Sequence, residues 1–217
     1  MNYRILDPKE LSRSGVYRHF TEDCRCSTSM TASLDVTALR SLAKTKGRKF
    51  HIDFLYLLTK TINSREVYRL GYRYKEKQLV CFDQMNPTHY VFREDSKTCT
   101  PVYTEYDPNY EVFYKRAYED IEKAKKSEGY SIDEKNHENY FDASYISWIT
   151  YDSFNIELPD GYLYFQPIIN WGRYKENNGV FLMPFTLRMN HAVADGFHVA
   201  NFFRLLQKEI DNFCKEQ

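Results

Sequence analysis

Hydrophobic positions along the chain follow two periods. Between residues 36 and 46, and again between 51 and 63, apolar side chains recur at helical spacing, with Phe54, Leu55, Leu58 and Ile62 on one face of the second segment. Asp35 opens the first of these helices and Gly47 stops it. Shorter runs at 68–74, 78–82, 90–92 and 100–106 read as strands. Asp107-Pro108 opens a charged helix that reaches about Lys126, and a polar connection follows over 128–139. From Phe141 to Gly196 the chain is strand-rich. From Val199 onward Phe202, Phe203, Leu206, Ile210 and Phe213 return to helical spacing. Helices early and late around a strand-rich middle predict an α/β (α+β) fold, with helices packed on a mixed sheet. No repeat and no Pro/Gly/Ser-rich linker divides the chain, so residues 1–217 are expected to form a single domain.

The last apolar strand carries the strongest chemical signal. Phe181, Met183, Phe185, Leu187, Met189 and His191 fall in one phase, and strand residues two apart share a face. His191 therefore extends an apolar face. Burial there disfavours the charged imidazole and predicts a neutral ring, the state a general base needs. Asp195-Gly196 then breaks the strand, and Asp195 suits the N-cap of the closing helix. A core histidine beside an ordinary cap would leave the same short pattern, so its neighbours must decide.

Composition narrows the partners. The chain has 217 residues, with Lys plus Arg equal to Asp plus Glu at 30 each and a net charge of zero. No basic block marks a nucleic-acid surface, and Lys123–Lys126 is interleaved with alanine near acids, as on a solvated helix face. No apolar run approaches the ~18 residues of a membrane span, and the N-terminus lacks a signal-peptide core. The expected compartment is the cytoplasm. Cys24, Cys26, Cys81, Cys99 and Cys214 are odd in number and irregularly spaced, which disfavours a disulfide framework. Cys24-Arg-Cys26 has no matching C-x-C or H-x₃-H, so no metal is expected.

The stretch His191-Ala-Val-Ala-Asp195-Gly196-Phe-His resembles the C-terminal signature of the chloramphenicol acetyltransferase family, usually His-His-x-x-x-Asp-Gly-Phe/Tyr-His. Further blocks match in order. Ser27–Thr37 resembles the first long strand and the helix after it, Ser144-Tyr-Ile-Ser-Trp148 resembles Ser-x-x-Pro-Trp, and Phe165-Gln-Pro167-Ile-Ile-Asn170 resembles Phe-x-Pro-Ile-Ile-Thr. The resemblance spans essentially the whole chain. It implies the two-layer sandwich of the CoA-dependent acyltransferase fold, assembled as a homotrimer with active sites at subunit boundaries. Acetyl-CoA would enter from one side as cosubstrate and the acceptor alcohol from the other.

The same resemblance assigns roles. His191 is the base, its ring held by local backbone contacts, and Ser144 donates to the oxyanion. Asp195 bonds an arginine, which an ungapped N-terminal match places at Arg13, with Arg18 as the rival. Trp148 and Tyr174 contact CoA, and Gly47-Arg48-Lys49 is a weak phosphate candidate. Phe20, Cys26 and Asn170 fall in the acceptor pocket, with Cys26 on a pocket-lining strand, although Cys26 reads equally well as a small buried hydrophobe and Trp148 as a core residue. Phe20 stands where the family has Tyr, Asn170 where it has Thr, Asn190 where it has the first His, and Ser147 where it has Pro. The catalytic set is kept and the acceptor pocket has changed. Three other readings compete: the same scaffold acting on a different acceptor, a non-catalytic binding protein, and a dihydrolipoyl acyltransferase catalytic domain. That last enzyme shares His-x-x-x-Asp-Gly but would carry a lipoyl domain upstream, and the expectation is against it.

Overall fold

The computed structural model describes residues 2–127, 137–158 and 163–217. In chain order these form β1 (Tyr3–Leu6), α1 (Ser14–Arg18), β2 (Ser27–Asp35), α2 (Thr37–Lys46), α3 (Phe50–Asn63), β3 (Leu70–Arg73), β4 (Gln78–Phe82), β5 (Asn86–Arg93), β6 (Thr98–Tyr103), α4 (Tyr110–Lys126), β7 (Tyr140–Ile146), β8 (Ile168–Gly172), β9 (Lys175–Asn177), β10 (Val180–Asn190) and α5 (Gly196–Glu216). The main sheet runs β2-β10-β8-β7-β5-β6, with β9 paired to β10. β7 lies parallel to β5 and β8 while the other pairs are antiparallel, so the sheet is mixed. A small second sheet, β1-β4-β3, stands beside it.

The alternation in β10 sets the core. Met183, Phe185, Leu187 and Met189 are fully buried on one face. Phe185 meets Phe202 of α5 in a stack at 6.0 Å and Phe54 of α3 edge-on at 6.1 Å. The buried stripe of α5, Val199, Phe202, Leu206, Ile210 and Phe213, keeps the spacing read from sequence. Each such side chain contributes about 1.5–3 kcal/mol on burial. α2 ends where expected: Gly47 takes φ 66°, the left-handed conformation that costs glycine nothing. Residues 128–136 of the polar connection lie outside the described residues.

Two expectations need correction. The N-cap of α4 is Asn109, whose Oδ1 accepts from the amides of Glu111 (3.0 Å) and Val112 (3.4 Å), while Asp107 braces the turn ahead through the Asn109 amide. The stretch from Phe141 to Gly196 is also less strand-rich than predicted, since the described residues between β7 and β8 form no strand. That segment instead crosses the sheet face turned away from α3 and α5. Tyr151 donates to the Asn170 carbonyl (2.9 Å) and accepts from Thr186 Oγ1 (3.3 Å). Its ring lies so close that a Cβ on Gly172 would sit 2.8 Å from it, which is why the last position of β8 has no side chain.

Candidate active site

At the C-terminal end of β10 the strand stops at Asn190. The Asn190 carbonyl accepts from the amides of Val193 (3.2 Å) and Ala194 (3.0 Å), and its side chain accepts from Ala192 (3.0 Å). This tight turn carries His191 off the strand. The ring therefore does not continue the apolar face as predicted; it is half-buried and stacks on Phe20, with centroids 4.0 Å apart and planes 20° apart. The His191 amide donates to the Cys26 carbonyl at 3.0 Å. Cys26 precedes β2 rather than lying on it. The expected backbone contact to the ring is not made: Nδ1 is buried without a hydrogen-bond partner.

Asp195 caps α5. Its Oδ1 accepts from the amides of Phe197 and His198 and pairs with His198 Nδ1 at 2.7 Å. Its Oδ2 lies 3.2 Å from Arg13 Nη2, and Arg13 Nη1 donates to the Val193 carbonyl at 2.8 Å. Burial alone would raise the Asp195 carboxyl, but the His198 hydrogen bond and the Arg13 charge outweigh it and hold the group below the usual carboxylate range. Arg13, not Arg18, is thus the partner of Asp195. Arg18 is exposed at the end of α1.

Ser144 and Asn170 sit elsewhere. Ser144 on β7 pairs with Asn170 on β8, which pairs with Thr186 on β10. Thr186 is out of phase with Phe185 and Leu187, so this row lies on the helix-free face. A cavity of about 440 Å³ opens there, with Ser144, Asn170, Phe154, Ile156 and Tyr164 among its walls. Trp148 is no core residue: it is 54% exposed, edge-on to Phe92 at 4.7 Å. The Arg173 amide donates to the Ile149 carbonyl at 2.8 Å, which draws the Trp148 turn to the end of β8 beside Tyr174. Tyr174 packs edge-on against Phe50 and Phe181, its hydroxyl accepting from Arg40 Nε at 3.3 Å. Arg48 is engaged with Glu111 and Gln217, which weakens it as a phosphate contact.

A second cavity, about 280 Å³, runs from Ser144 and Trp148 inward to His51, His89 and Trp171. Sequence reasoning missed both histidines. Burial, aided by the charges of Lys49 and Lys125, pulls His51 down to about 4. Burial, then the neighbouring His51, pulls His89 down to about 3. His89 Nε2 bonds Thr104 Oγ1 at 3.0 Å, and Thr104 donates to Asp120 at 2.8 Å. His89 shares the phase of buried Val91 in β5, the one signal that placed it inside.

The candidate residues thus form two separate groups, one just past the C-terminal end of β10 and one midway along the sheet on its helix-free face. By register Ser144 is level with Thr186, and His191 lies five residues beyond Thr186. That is roughly 17 Å along the strand direction and two strands, roughly 10 Å, across. Proton transfer needs contact near 3 Å, so His191 and Ser144 of one chain cannot serve the same carbonyl.

The sequence profile described as chloramphenicol acetyltransferase matches residues 1–207. The chain belongs to the chloramphenicol acetyltransferase family. Among its relatives are chloramphenicol acetyltransferases from Clostridium perfringens, 30% identical over 213 residues covering 98% of this chain and 97% of that one, and from Vibrio anguillarum, 32% identical over 212 residues covering 98% and 96%. The fold matches a solved chloramphenicol acetyltransferase at a TM-score of 0.84, with 17% identity over 96% of this chain and 100% of the other. It also matches a truncated catalytic core of the 2-oxoacid dehydrogenase multienzyme complex from Thermoplasma acidophilum at 0.68, with 17% identity over 96% and 98%. The fold is therefore that of the CoA-dependent acyltransferases. The family comprises acetyl-CoA-dependent O-acetyltransferases, and this chain is an enzyme of that class. Among the described residues no helix is long and apolar enough to cross a membrane, and no cluster of His, Cys, Asp and Glu is placed to hold a metal.

Proposed function

We propose that this enzyme moves the acetyl group of acetyl-CoA to a hydroxyl of a small acceptor, chloramphenicol or a similar xenobiotic, in cytoplasmic homotrimers whose active sites form between copies. The observation that carries this is the split of the site: His191 with its Asp195–Arg13 support past the end of β10, Ser144 with its cavity midway along the sheet. One copy supplies the base and its neighbour the oxyanion donor. Buried Nδ1 leaves Nε2 of His191 to take the hydroxyl proton. The alkoxide attacks the thioester carbonyl, the Ser144 hydroxyl donates to the oxyanion, and collapse expels the CoA thiolate, which takes the proton from His191. Trp148 and Tyr174 line the approach of the cosubstrate, and Phe20, Cys26 and Asn170 the approach of the acceptor. Phe197 (72% exposed), Ile149 (57%) and Trp148 leave apolar surface near both groups for such a union.

The test mixes inactive chains. His191→Ala and Ser144→Ala subunits, unfolded together and reassembled, should regain about one quarter of wild-type thiol release in a random cyclic trimer, because one boundary in four pairs an intact base with an intact serine. Activity no higher than the sum of the two separate variants would end the shared-site proposal. A panel of acceptors in the same assay decides between chloramphenicol and another alcohol. The altered residues Phe20 and Asn170 favour the second of these.

A further inference from the structure

The acceptor cavity holds an unexplained charge. Among the described residues lining the cavity that contains Ser144 and Asn170, Asp142 is the one charged side chain; the others are mostly Ile, Leu, Phe and Tyr. Asp142 stands two residues before Ser144 on β7, on the same face, roughly 7 Å away. Its carboxylate is held open into the cavity by two hydroxyls: Tyr90 donates to Oδ1 at 2.8 Å, and Tyr164 donates to Oδ2. Burial pushes this carboxyl up, and the two tyrosines only partly offset it. Among the described residues no cation contributes. The Arg188 backbone, level with Ile168 and hence with Asp142 by register, lies two strands away, roughly 10 Å; its guanidinium interacts with Tyr164 rather than with Asp142, and its Nη1 is buried without a hydrogen-bond partner. A carboxylate desolvated in an apolar cavity is costly unless a positive partner arrives. Two tyrosines orient this one and leave lone pairs to spare.

We propose that Asp142 is a specificity-determining residue that receives an ammonium group of the acceptor, so that the preferred substrate is an aryl or alkyl amino alcohol whose cation sits roughly 7 Å from the oxyanion held by Ser144, the spacing of the two side chains along β7. The proposal deepens the acetyl-transfer reading and rests on it. The ammonium stays protonated against Asp142 and takes no part in the chemistry. The C–S bond of the thioester breaks, the C–O bond of the ester forms, and the hydroxyl proton ends on the CoA thiol.

A matched pair of acceptors tests this: an amino-pentanol with phenyl at the carbinol carbon and amine at the far end, and the phenyl-hexanol in which methyl replaces the ammonium. Wild-type kcat/KM should favour the amine by at least tenfold. Asp142→Asn keeps the shape but loses the charge, and should cut that preference by about 10–100-fold, the range for a hydrogen bond to a charged group, with the phenyl-hexanol and acetyl-CoA little changed. A purely structural role for Asp142 would lower both acceptors together. Equal use of the two by the wild type, or an unchanged ratio in Asp142→Asn, overturns the proposal; the first result needs no variant to fold. Calorimetric Kd values for the same two alcohols measure the same preference without turnover. Thiol release absent with every acceptor would then fail the acetyl-transfer reading while binding still decides Asp142.

Discussion

The His191 end of the sheet and the Ser144 region are built by different means. At the first, the backbone of the turn is tied: the Asn190 carbonyl and side chain take three amides, the His191 amide reaches Cys26, and Arg13 holds the Val193 carbonyl and faces Asp195, while His191 Nδ1 stays without a hydrogen-bond partner. A face-to-face stack on Phe20 fixes the ring itself. At the second, Ser144 opens on two cavities, Trp148 and Ile149 face solvent, and a strandless segment covers the sheet. One region holds a single imidazole on a braced turn. The other is concave and open, with room for the substrates and the neighbouring copy proposed above. Precision is needed where a proton moves, and room is needed where two ligands enter.

Deleting the function of each region should show the contrast in turnover. His191→Ala removes the proposed base and should lower kcat by about 10²–10⁴-fold, more if no water replaces it. Ser144→Ala removes the proposed oxyanion donor and should cost roughly 10²–10³-fold. Acetyl-CoA affinity should barely move in either, since the proposal gives neither group a part in holding the cosubstrate. Turnover and CoA binding measured on the same folded variants check both, and near-normal transfer by His191→Ala would remove the mechanism.

Acid should separate the two regions by stability. His51 and His89, beside the Ser144 cavities, titrate at about 4 and about 3 in the fold, against an ordinary 6.5. Between those values the unfolded chain binds protons that the native one refuses, so stability rises with pH there and is lost as pH falls from about 6.5 towards 4. Asp195 acts with the same sign in a lower window: its carboxyl is also depressed, so its contribution to the His191 end is kept at pH 5 and is lost only as pH falls through the ordinary carboxylate range and below. Hydrogen exchange at pH 5 should therefore loosen α3 and β5 before the Asn190–Asp195 turn, and His89→Gln should flatten the fall of the urea midpoint. Uniform loosening of both regions would contradict the assignment.

The long periodic elements were legible in the chain because burial alone dictates them: the α5 stripe and the β10 alternation face each other across one core. Where a different force acts, pattern failed. Asn190 sits in the strand's polar phase, yet its side chain and carbonyl bind the next amides and end the strand, so the position of His191 followed turn chemistry rather than period. The residues around Tyr151 are as apolar and aromatic as a strand but find no ladder partner, and settle on the sheet through tyrosine hydroxyls. β1 has four residues, too few to show a period. His51 and His89 meet only in three dimensions. The roles proposed for Ser144 and Arg13 came through resemblance to a family, which no spacing within this chain supplies.

The smallest effects concern the arginines at the His191 end. Arg13 is largely buried, holds the Val193 carbonyl and faces Asp195. Arg13→Ala and Asp195→Asn should each loosen the turn, and because they share one contact their costs should not add; coupling of about 0.5–3 kcal/mol is usual for such pairs. Asp195 is more than a third exposed, and screening by solvent places the value at the lower end. Asp195 would keep its second support, the His198 pairing at 2.7 Å, so Arg13→Ala should be the milder in melting temperature and the clearer in kcat, since it frees the carbonyl beside His191 without uncapping α5. Arg18, one helix turn on and exposed, is the control. Its replacement by Ala should stay within about 0.5 kcal/mol and add cleanly to Asp195→Asn. A double-mutant cycle on denaturation midpoints reads both pairs. Coupling of Arg18 with Asp195, and none of Arg13, would reverse the pairing and with it the account of how the His191 turn is held.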